Sequence, residues 1–347
     1  MKLLRSKTFH FLLMAVAVFS ITQFGLVHPS VIEQYYAMWL YPKMALGLSY
    51  LSNWFIFSLD DFFYAILVLG IVVILLLLIV RKIRWLSFVK IVVSVVSLTY
   101  CLFYLLWGLN YYREDINQRL NLPEVKPNVN ELMAVFEWLI DETNQSYTPI
   151  YTLDTMEISA AVRQAYSNEA DLLKIDSTLL YTRTKSITLS RFFAAATISG
   201  YYGPFFSEVH LNQHLLPVDY PMVLAHEMAH RLGVTSEAEA NFYAWFVCSQ
   251  SDNKQLVYSA NLYLLHYFVY ATYQYPQFQE AIEAIRYEVR FDYYKTNYHW
   301  MALMNGDVEM VARTMNDVYL KANNVEDGVD DYEGVVKYIM SYKSKQQ

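Results

Sequence analysis

The stretch His226-Glu227-Met228-Ala229-His230 is the most informative part of this chain of 347 residues. On a helix, two histidines four positions apart project from one face and can bind a single metal ion, with the intervening glutamate beside it. The apolar residues Val223 to Ala225 precede the stretch, as is typical of a helix buried in an enzyme core. The sequence therefore predicts a buried helix that carries a metal site.

The residues that follow predict a second helix close to the first. Gly233 is expected to end the first helix, and Thr235-Ser236 to cap a second one that begins near Glu237. We expect Glu237 to be the third ligand, with Asn241 one turn later bonded to a ligand histidine. Glu239 points about 200° away from Glu237 around the helix. It stays an alternative ligand because the short linker leaves the rotation of the helix open.

The residue types fit the chemistry of a hydrolytic zinc site. Zinc binds imidazole nitrogens and carboxylate oxygens, and a catalytic site leaves the fourth position for water. The ion lowers the pKa of that water to about 7. Glu227 could then accept the proton as general base and return it to the leaving amine. We expect one Zn²⁺ held by His226, His230 and Glu237 in a metallopeptidase, although the same ligands accept other divalent metals.

Other candidate side chains lie outside these two helices. His210 and His214 share the spacing of four, but they fall in or beside the alternating segment 207–212, which predicts a half-exposed strand where histidines would not converge on one ion. Such a strand at the edge of a sheet could bind an extended peptide, or it could be an ordinary structural edge. Stabilisation of an oxyanion has four candidates that no pattern separates: His266, His299, Tyr319 and Tyr332.

Three long uncharged runs in the first third of the chain predict transmembrane helices at about 9–27, 62–80 and 91–109. Each run is long enough to cross a bilayer about 30 Å thick. The first run could also be a cleaved signal peptide. We expect a retained anchor instead, because the run is long and no Ala-x-Ala site follows it. Residues 38–57 are less apolar and predict an interfacial or packed helix.

Basic residues indicate the orientation of these helices. Three precede the first run and four lie between the second and third, so both places are expected on the cytoplasmic side. They are Lys2, Arg5, Lys7, Arg81, Lys82, Arg84 and Lys90. Residues 1–109 hold 8 Lys and Arg against 3 Asp and Glu, and the remainder holds 18 against 30. This acidic remainder is expected outside the cytoplasm, and its charge argues against nucleic acid as a partner.

The chain is thus predicted to have a membrane domain over residues 1–110 and an outer domain over residues 111–347. Helical patterns in the outer domain cover about 130–146, 155–173, 220–232, 237–249, 254–275, 277–290 and 306–323. Residues 186–216 are mixed and contain the predicted strand. We expect a mainly α fold, a helical α+β domain with a small sheet. The two cysteines, Cys101 and Cys248, are expected to be buried and unpaired.

Three further segments accompany the two predicted metal helices: Phe57 to Asp61, Trp107 to Arg113 and Gly200 to Phe205. With them the chain resembles, over nearly its whole length, a bacterial membrane-protein family classed as domain of unknown function 3810. The motif of that family is similar to that of the gluzincin zinc peptidases. The resemblance implies a membrane-anchored zincin-like domain without a known substrate. In gluzincins an Asp commonly stands where this chain has Asn241, and the spacing from His230 to Glu237 is short, which leaves the third ligand open.

These observations together predict a zinc metallopeptidase of the bacterial plasma membrane, with its C-terminal domain outside the cytoplasm. Its expected partners are the lipid bilayer and a peptide or protein substrate close to it. The alternative is a non-enzymatic membrane sensor or transporter-accessory protein that uses a zincin fold as a scaffold. A transporter itself is disfavoured, because three spans leave little room for a pathway and hold no ionisable residue at mid-membrane depth.

Overall fold

The computed structural model describes residues 7–325, 328, 330 and 334–346. These residues are mainly helical, and three short strands form a small sheet. They divide into two compact units: the first comprises residues 1–114 and 203–208, and the second comprises residues 115–202 and 209–347. Lys2, Arg5 and Tyr332, which entered the predictions of orientation and catalysis, lie outside the described residues.

Three helices of the first unit are long and apolar enough to cross a membrane: α1 (Lys7–Val27), α4 (Leu59–Ile79) and α5 (Trp85–Leu106). They correspond to the three predicted runs. Helices α4 and α5 begin a few residues before the uncharged runs, because polar residues suit a first helical turn. At α4, the Ser58 hydroxyl accepts a hydrogen bond of 2.8 Å from the backbone N–H of Asp61 and caps the helix.

The residues between α1 and α4 are helical over most of their length. α2 (Pro29–Val31) leads into a π-helical segment, Ile32–Leu40, and then into α3 (Tyr41–Ser52). The helix predicted near 38–57 therefore exists, but it begins earlier and ends sooner. Glu33 receives two hydrogen bonds of 2.7 Å from the Arg113 guanidinium, which follows a 3₁₀ turn at Gly108–Tyr112. This well-shielded bidentate pair stabilises the contact of the π-helical segment with the chain that leaves α5.

Asp60 at the start of α4 connects that helix to residues 203–208, which we call the return loop. Its carboxylate accepts hydrogen bonds from the backbone N–H groups of Phe205, at 3.1 Å, and Phe206, at 3.2 Å. Asp60 is completely buried. A Cβ at Gly203 would collide with its carboxyl group, so this position of the return loop requires glycine.

Glu208 makes the reciprocal connection from the return loop to α4. Its buried carboxylate accepts hydrogen bonds from the Ser58 hydroxyl at 3.0 Å and from the backbone N–H groups of Leu59 at 3.2 Å and Asp60 at 3.0 Å. A carboxylate at the N-terminus of a helix satisfies N–H groups that have no partner within the helix. The return loop and the first turn of α4 are therefore held together from both sides.

The second unit is built from helices that surround a buried central pair, α11 and α12. Its elements are α6 (Ile116–Leu120), α7 (Val129–Ser146), α8 (Thr155–Asn168), α9 (Ala170–Leu173), a 3₁₀ turn (Ser177–Leu180), α10 (Ser190–Ala195), α11 (Tyr220–Arg231), α12 (Glu237–Ser249), α13 (Lys254–Thr272), α14 (Phe278–Glu283), α15 (Tyr287–Leu303), α16 (Gly306–Ala322) and α17 (Val335–Gln346). Helix α11 packs against α8, α12 and α13, and every residue from Pro221 to Arg231 is buried.

Two predicted helices are divided in the structure. The pattern at 155–173 splits into α8 and α9 around Glu169, and the pattern at 277–290 ends with α14 before α15 begins. At the second break the Asn144 side chain replaces helical hydrogen bonds. It donates to the carbonyl of Ala284 at 2.9 Å and accepts from the N–H of Arg286 at 3.0 Å. A tertiary contact of this kind overrides local helical periodicity.

The sheet has the order β1-β3-β2, with β1 at Lys185–Ser186, β2 at Gly200–Gly203 and β3 at Glu208–Leu211. β1 runs parallel to β3, and Lys185 lies opposite His210. The prediction of a half-exposed edge strand at 207–212 was wrong, because β3 is buried at all four positions and has a neighbouring strand on each side. Addition of a peptide to β3 is therefore excluded. Cys101 and Cys248 are buried and free, as expected.

Candidate metal centre

The positions of the predicted ligands depend on where helices α11 and α12 begin and end. α11 begins at Tyr220, with Pro221 in its first turn, and Gly233 follows it with a left-handed φ of 85°. α12 begins after Ser236, whose hydroxyl accepts a hydrogen bond of 3.2 Å from the N–H of Glu239. These boundaries agree with the sequence prediction. The short connection brings the first turn of α12 against the last turn of α11.

Three ligand-type side chains converge at this junction. His226 Nε2 lies 3.0 Å from His230 Nε2 and 3.0 Å from Glu237 Oε2. His230 Nε2 lies 3.3 Å from the same carboxylate oxygen. Within the described part of the chain, this is the one group of three His, Cys, Asp or Glu residues close enough to hold a single ion. We call these three residues the candidate metal centre.

The spacing of the candidate metal centre fits zinc. Zinc bonds of about 2.0–2.1 Å in tetrahedral geometry place neighbouring ligand atoms about 3.3 Å apart, and the three observed separations are 3.0, 3.0 and 3.3 Å. Two imidazoles and one carboxylate are also a common donor set of catalytic zinc. The side chains of His226, His230 and Glu237 keep 10%, 9% and 14% of their surface exposed, so one side of the group remains accessible.

Hydrogen bonds to the outer ring nitrogens set the tautomers. His226 Nδ1 lies 2.8 Å from Asn241 Oδ1, and His230 Nδ1 lies 2.8 Å from the carbonyl oxygen of Val234. The Asn241 amide nitrogen donates to the Tyr267 hydroxyl at 3.2 Å, which fixes the orientation of the amide. Both Nδ1 atoms therefore donate, and both Nε2 atoms face each other and the Glu237 carboxylate. Nitrogen and oxygen atoms this close can share a proton or bind a metal ion.

The charges at the centre depend on burial and on one another. Burial raises the pKa of Glu227 to about 7, although the two imidazoles act in the opposite direction. Burial opposes the charged form of His230, but the Glu237 carboxylate outweighs it and raises the pKa of His230 to about 9. Burial likewise opposes ionisation of Glu237, yet the imidazoles hold the pKa of its carboxyl well below its usual range. Glu237 and His230 are thus charged partners, and Glu227 changes charge near neutral pH.

The Glu227 carboxylate lies buried beside the candidate metal centre. Its Oε2 is buried and has no hydrogen-bond partner among the described residues. On the other side of the carboxylate, a Cβ at Gly200 would lie 2.7 Å from Oε1, so the backbone of β2 passes directly beside it. Sequence analysis had not assigned a role to Gly200. A buried carboxylate with one oxygen available in this way, beside a group of ligand atoms, can accept a proton, as a general base must.

Glu239, the alternative ligand, faces another partner. Its carboxylate forms a buried ion pair with the Arg119 guanidinium, which also donates to the Tyr243 hydroxyl at 3.1 Å. The structure therefore brings Glu237 and not Glu239 to the histidines, as the 200° separation around α12 suggested. Arg119 was not identified from the sequence, since nothing in the chain near residue 119 indicates a contact with α12.

Two of the other histidines that the sequence singled out pack elsewhere. The His210 ring stacks on Tyr201 with their centroids 4.2 Å apart. His214 belongs to the lining of a surface groove, and its carbonyl oxygen lies 2.6 Å from His299 Nε2. Neither side chain joins the candidate metal centre.

The remaining candidates for stabilising an oxyanion also lie outside the centre. The His266 ring stacks on Tyr293 at 4.1 Å, and burial lowers the pKa of His266 to about 4. Tyr319 is exposed on α16. His266 is not one of the three residues that could hold an ion, and the oxyanion role of either residue stays a prediction.

Comparison with known proteins identifies a family. No curated protein and no solved structure matches the chain significantly. A family model described as "Protein of unknown function (DUF3810)" matches residues 36–340, which include α4, α5 and the candidate metal centre. The chain therefore belongs to this family of unknown function.

Proposed function

We propose that this protein is a membrane-anchored zinc metallopeptidase of the gluzincin type. The observation that carries the proposal is the convergence of His226 Nε2, His230 Nε2 and Glu237 Oε2 within 3.3 Å of one another. Beside them lies a buried Glu227 oxygen that has no hydrogen-bond partner in the described part of the chain. Two imidazole nitrogens and a carboxylate oxygen that converge on one point are the donor set that a catalytic zinc ion takes.

Different residues of this chain would bind the metal ion and transfer the proton. Zinc held by His226, His230 and Glu237 would act as a Lewis acid that makes a water molecule acidic near neutral pH. Glu227 is placed to accept the proton of the attacking water and to return it to the amine that leaves the peptide. Its Oε2, which is buried and has no hydrogen-bond partner among the described residues, is the atom that could serve in both steps.

The surroundings of the centre orient the reacting groups. Asn241 and the Val234 carbonyl hold the imidazole rings through their Nδ1 atoms. The backbone of β2 beside Glu227 limits the positions that its carboxylate can adopt. Three apolar helices able to cross a membrane accompany this site in the same chain, so we propose a peptide or protein substrate close to the outer face of a bacterial plasma membrane.

The test uses the full chain, purified in detergent and reconstituted in vesicles. Zinc content and cleavage of a mixture of quenched fluorescent peptides are measured for the wild type, His226→Ala, Glu227→Gln and the control His214→Ala. We expect zinc and cleavage to be lost in the first variant. Glu227→Gln should keep its zinc and lose activity by about 10²–10⁴-fold, the range of general acid–base catalysis. The control, whose side chain lies outside the centre, should behave like the wild type.

Two results would contradict the proposal. If His226→Ala and His214→Ala bind as much zinc as the wild type, the candidate metal centre does not hold the ion. If Glu227→Gln binds zinc and its biological activity in cells equals that of the wild type, the site is not hydrolytic. The second result would favour a scaffold role, in a membrane sensor or an accessory subunit of a transporter.

A further inference from the structure

Helix α15 presents an apolar stripe to its outside. Positions 287, 291, 294, 298 and 301 follow the spacing of four and three residues that aligns side chains along one helix face. Their exposed fractions are 73%, 56%, 56%, 67% and 63%, and they are Tyr287, Phe291, Tyr294, Tyr298 and Met301. We call these five residues the aromatic face.

The opposite side of α15 packs against the rest of the second unit. Val289 and Thr296 are buried there, and Tyr293 between them stacks on His266 with their ring centroids 4.1 Å apart. The aromatic face is therefore an additional apolar surface on a helix that is already anchored. With aromatic side chains of about 200 Å² each, its exposure amounts to roughly 600 Å², the upper end of what single soluble chains expose and typical of a binding site.

The charges on α15 indicate the kind of partner. Arg290 and Lys295 are exposed among the residues of the aromatic face. Of the two acids of the helix, Glu288 is 44% exposed and is paired at 3.0 Å with Arg286, which is 41% exposed, and Asp292 accepts a hydrogen bond from Tyr258 at 2.8 Å. Beyond this neutral Arg286–Glu288 pair, the exposed charges of the helix are basic, although residues 110–347 hold 18 basic against 30 acidic residues. The partner should combine an apolar interior with a negative surface.

The apolar surface continues past the end of α15. An open groove of about 790 Å³ lies between α10 and the turn from α15 to α16. Leu189, Phe192 and Met304 line it and are exposed by 63%, 59% and 44%. Exposed Arg191 adds another basic group at the groove. The same combination of apolar and basic side chains therefore extends over two neighbouring elements.

We propose that the aromatic face of α15 lies in the headgroup region of an anionic lipid bilayer. Tyrosine and other aromatic side chains favour this interface, where the ring is apolar and the hydroxyl stays hydrated. Helices that lie in the membrane surface combine an aromatic or aliphatic side with Lys and Arg that attract acidic lipids. Helices of the same chain that are able to cross a membrane would keep the chain at a bilayer. The effective concentration of lipid for the aromatic face would then be high. The proposal does not depend on the candidate metal centre being catalytic.

Site-directed spin labelling of the full chain tests the proposal. Cys101 and Cys248 are first replaced by alanine, and single cysteines are introduced as Tyr294→Cys, Tyr298→Cys and the control Met156→Cys. Met156 lies on α8 of the second unit and is 81% exposed. Each labelled chain is reconstituted in vesicles of phosphatidylethanolamine and phosphatidylglycerol. Collisions with oxygen, which concentrates in lipid, are compared with collisions with a water-soluble nickel chelate.

We expect the oxygen-to-nickel ratio to be several-fold higher at 294 and 298 than at 156. Adding Arg290→Gln and Lys295→Gln should lower the ratio at 294, and vesicles of phosphatidylcholine alone should lower it as well. Equal ratios at all three positions would overturn the proposal. Spin–spin broadening at 294 with poor access to both oxygen and nickel would also overturn it, because a second copy of the chain would then cover the face.

Discussion

Glu237 and Glu239 lie two residues apart on α12 and meet opposite surroundings. Glu237 faces His226 and His230 with part of its side chain still exposed, whereas Glu239 is paired with Arg119 away from the candidate metal centre. A rotation of about 200° along one helix separates the two faces. The same type of side chain therefore belongs to the candidate metal centre on one face of α12 and to a buried ion pair on the other.

The difference shows what decides the role of a buried acid. Glu239 has a permanent cation, so its pair needs nothing from outside the chain. Glu237 faces imidazoles that are neutral unless they bind a proton or a metal ion. A buried carboxylate opposite titratable nitrogens is thus open to a ligand, and one opposite a guanidinium is not. Substitutions on the two faces should accordingly affect different measurements.

The largest effect is expected from Glu237→Gln. Loss of a direct ligand should weaken zinc binding by more than the 10–100-fold that loss of an outer hydrogen-bond partner costs. Thermal stability of the chain without added zinc should change less than in Glu239→Gln. Zinc affinity of both variants is measured by competition with a fluorescent chelator. Retention of zinc in Glu237→Gln and its loss in Glu239→Gln would reverse the assignment of the two faces.

Glu239→Gln should act on stability instead. It leaves the Arg119 charge buried without its partner, and such a change costs about 3–5 kcal/mol. Denaturant unfolding followed by tryptophan fluorescence measures the loss. The double variant Arg119→Met/Glu239→Met provides the control, because replacing both charges by apolar groups should recover most of the stability. An unchanged unfolding free energy in Glu239→Gln would mean that the pair contributes little.

His266 extends the comparison to a buried titratable side chain whose pKa is shifted by burial and not by an opposite charge. Its pKa is lowered to about 4 by burial, against about 6.5 in an unfolded chain. The unfolded chain therefore binds the proton first as the pH falls, and stability is lost between pH 6.5 and 4. The loss reaches about 2 kcal/mol at pH 5. The variant His266→Phe should lose this part of the pH dependence. If the unfolding free energy changes equally from pH 7 to 5 in the wild type and the variant, His266 does not have a lowered pKa.

The smallest effect is expected from Tyr267→Phe. The variant removes the acceptor of the Asn241 amide, 3.2 Å away, and frees the amide to turn its nitrogen toward His226. Loss of one such bond costs about 1 kcal/mol, or about fivefold in zinc affinity. Asn241→Asp in the same background is the control, because a carboxylate presents an oxygen in either orientation and should restore binding. No change in affinity would show that Tyr267 does not orient the amide.

The sequence predicted the helices around the centre because their signals are local. The bounds of α11 and α12 follow from Gly233, from the Ser236 cap and from the apolar residues of the two helices. The choice between Glu237 and Glu239 needed the rotation of α12. That rotation depends on Arg119, a residue 118 positions before Glu237, and no local pattern encodes such a contact.

The strand β3 shows the opposite case, in which a local pattern predicted the wrong environment. Glu208 and His210 alternate with Val209 and Leu211, as in a strand with one face in water. In the structure all four are buried, because Glu208 binds the start of α4 and His210 stacks on Tyr201. Polar residues satisfied by other parts of the protein cannot be told from hydrated ones by periodicity alone.

The return loop has a practical consequence for cutting the chain. A shortened protein that begins at residue 115 would keep the N–H groups of Phe205 and Phe206 but lose the Asp60 carboxylate that accepts from them. It would also lack the three donors at the start of α4 that bind the Glu208 carboxylate, and this carboxylate would be exposed. The second unit is therefore not a contiguous stretch of sequence. Soluble versions intended for crystallisation should carry residues 57–61 as a grafted peptide or a fused segment.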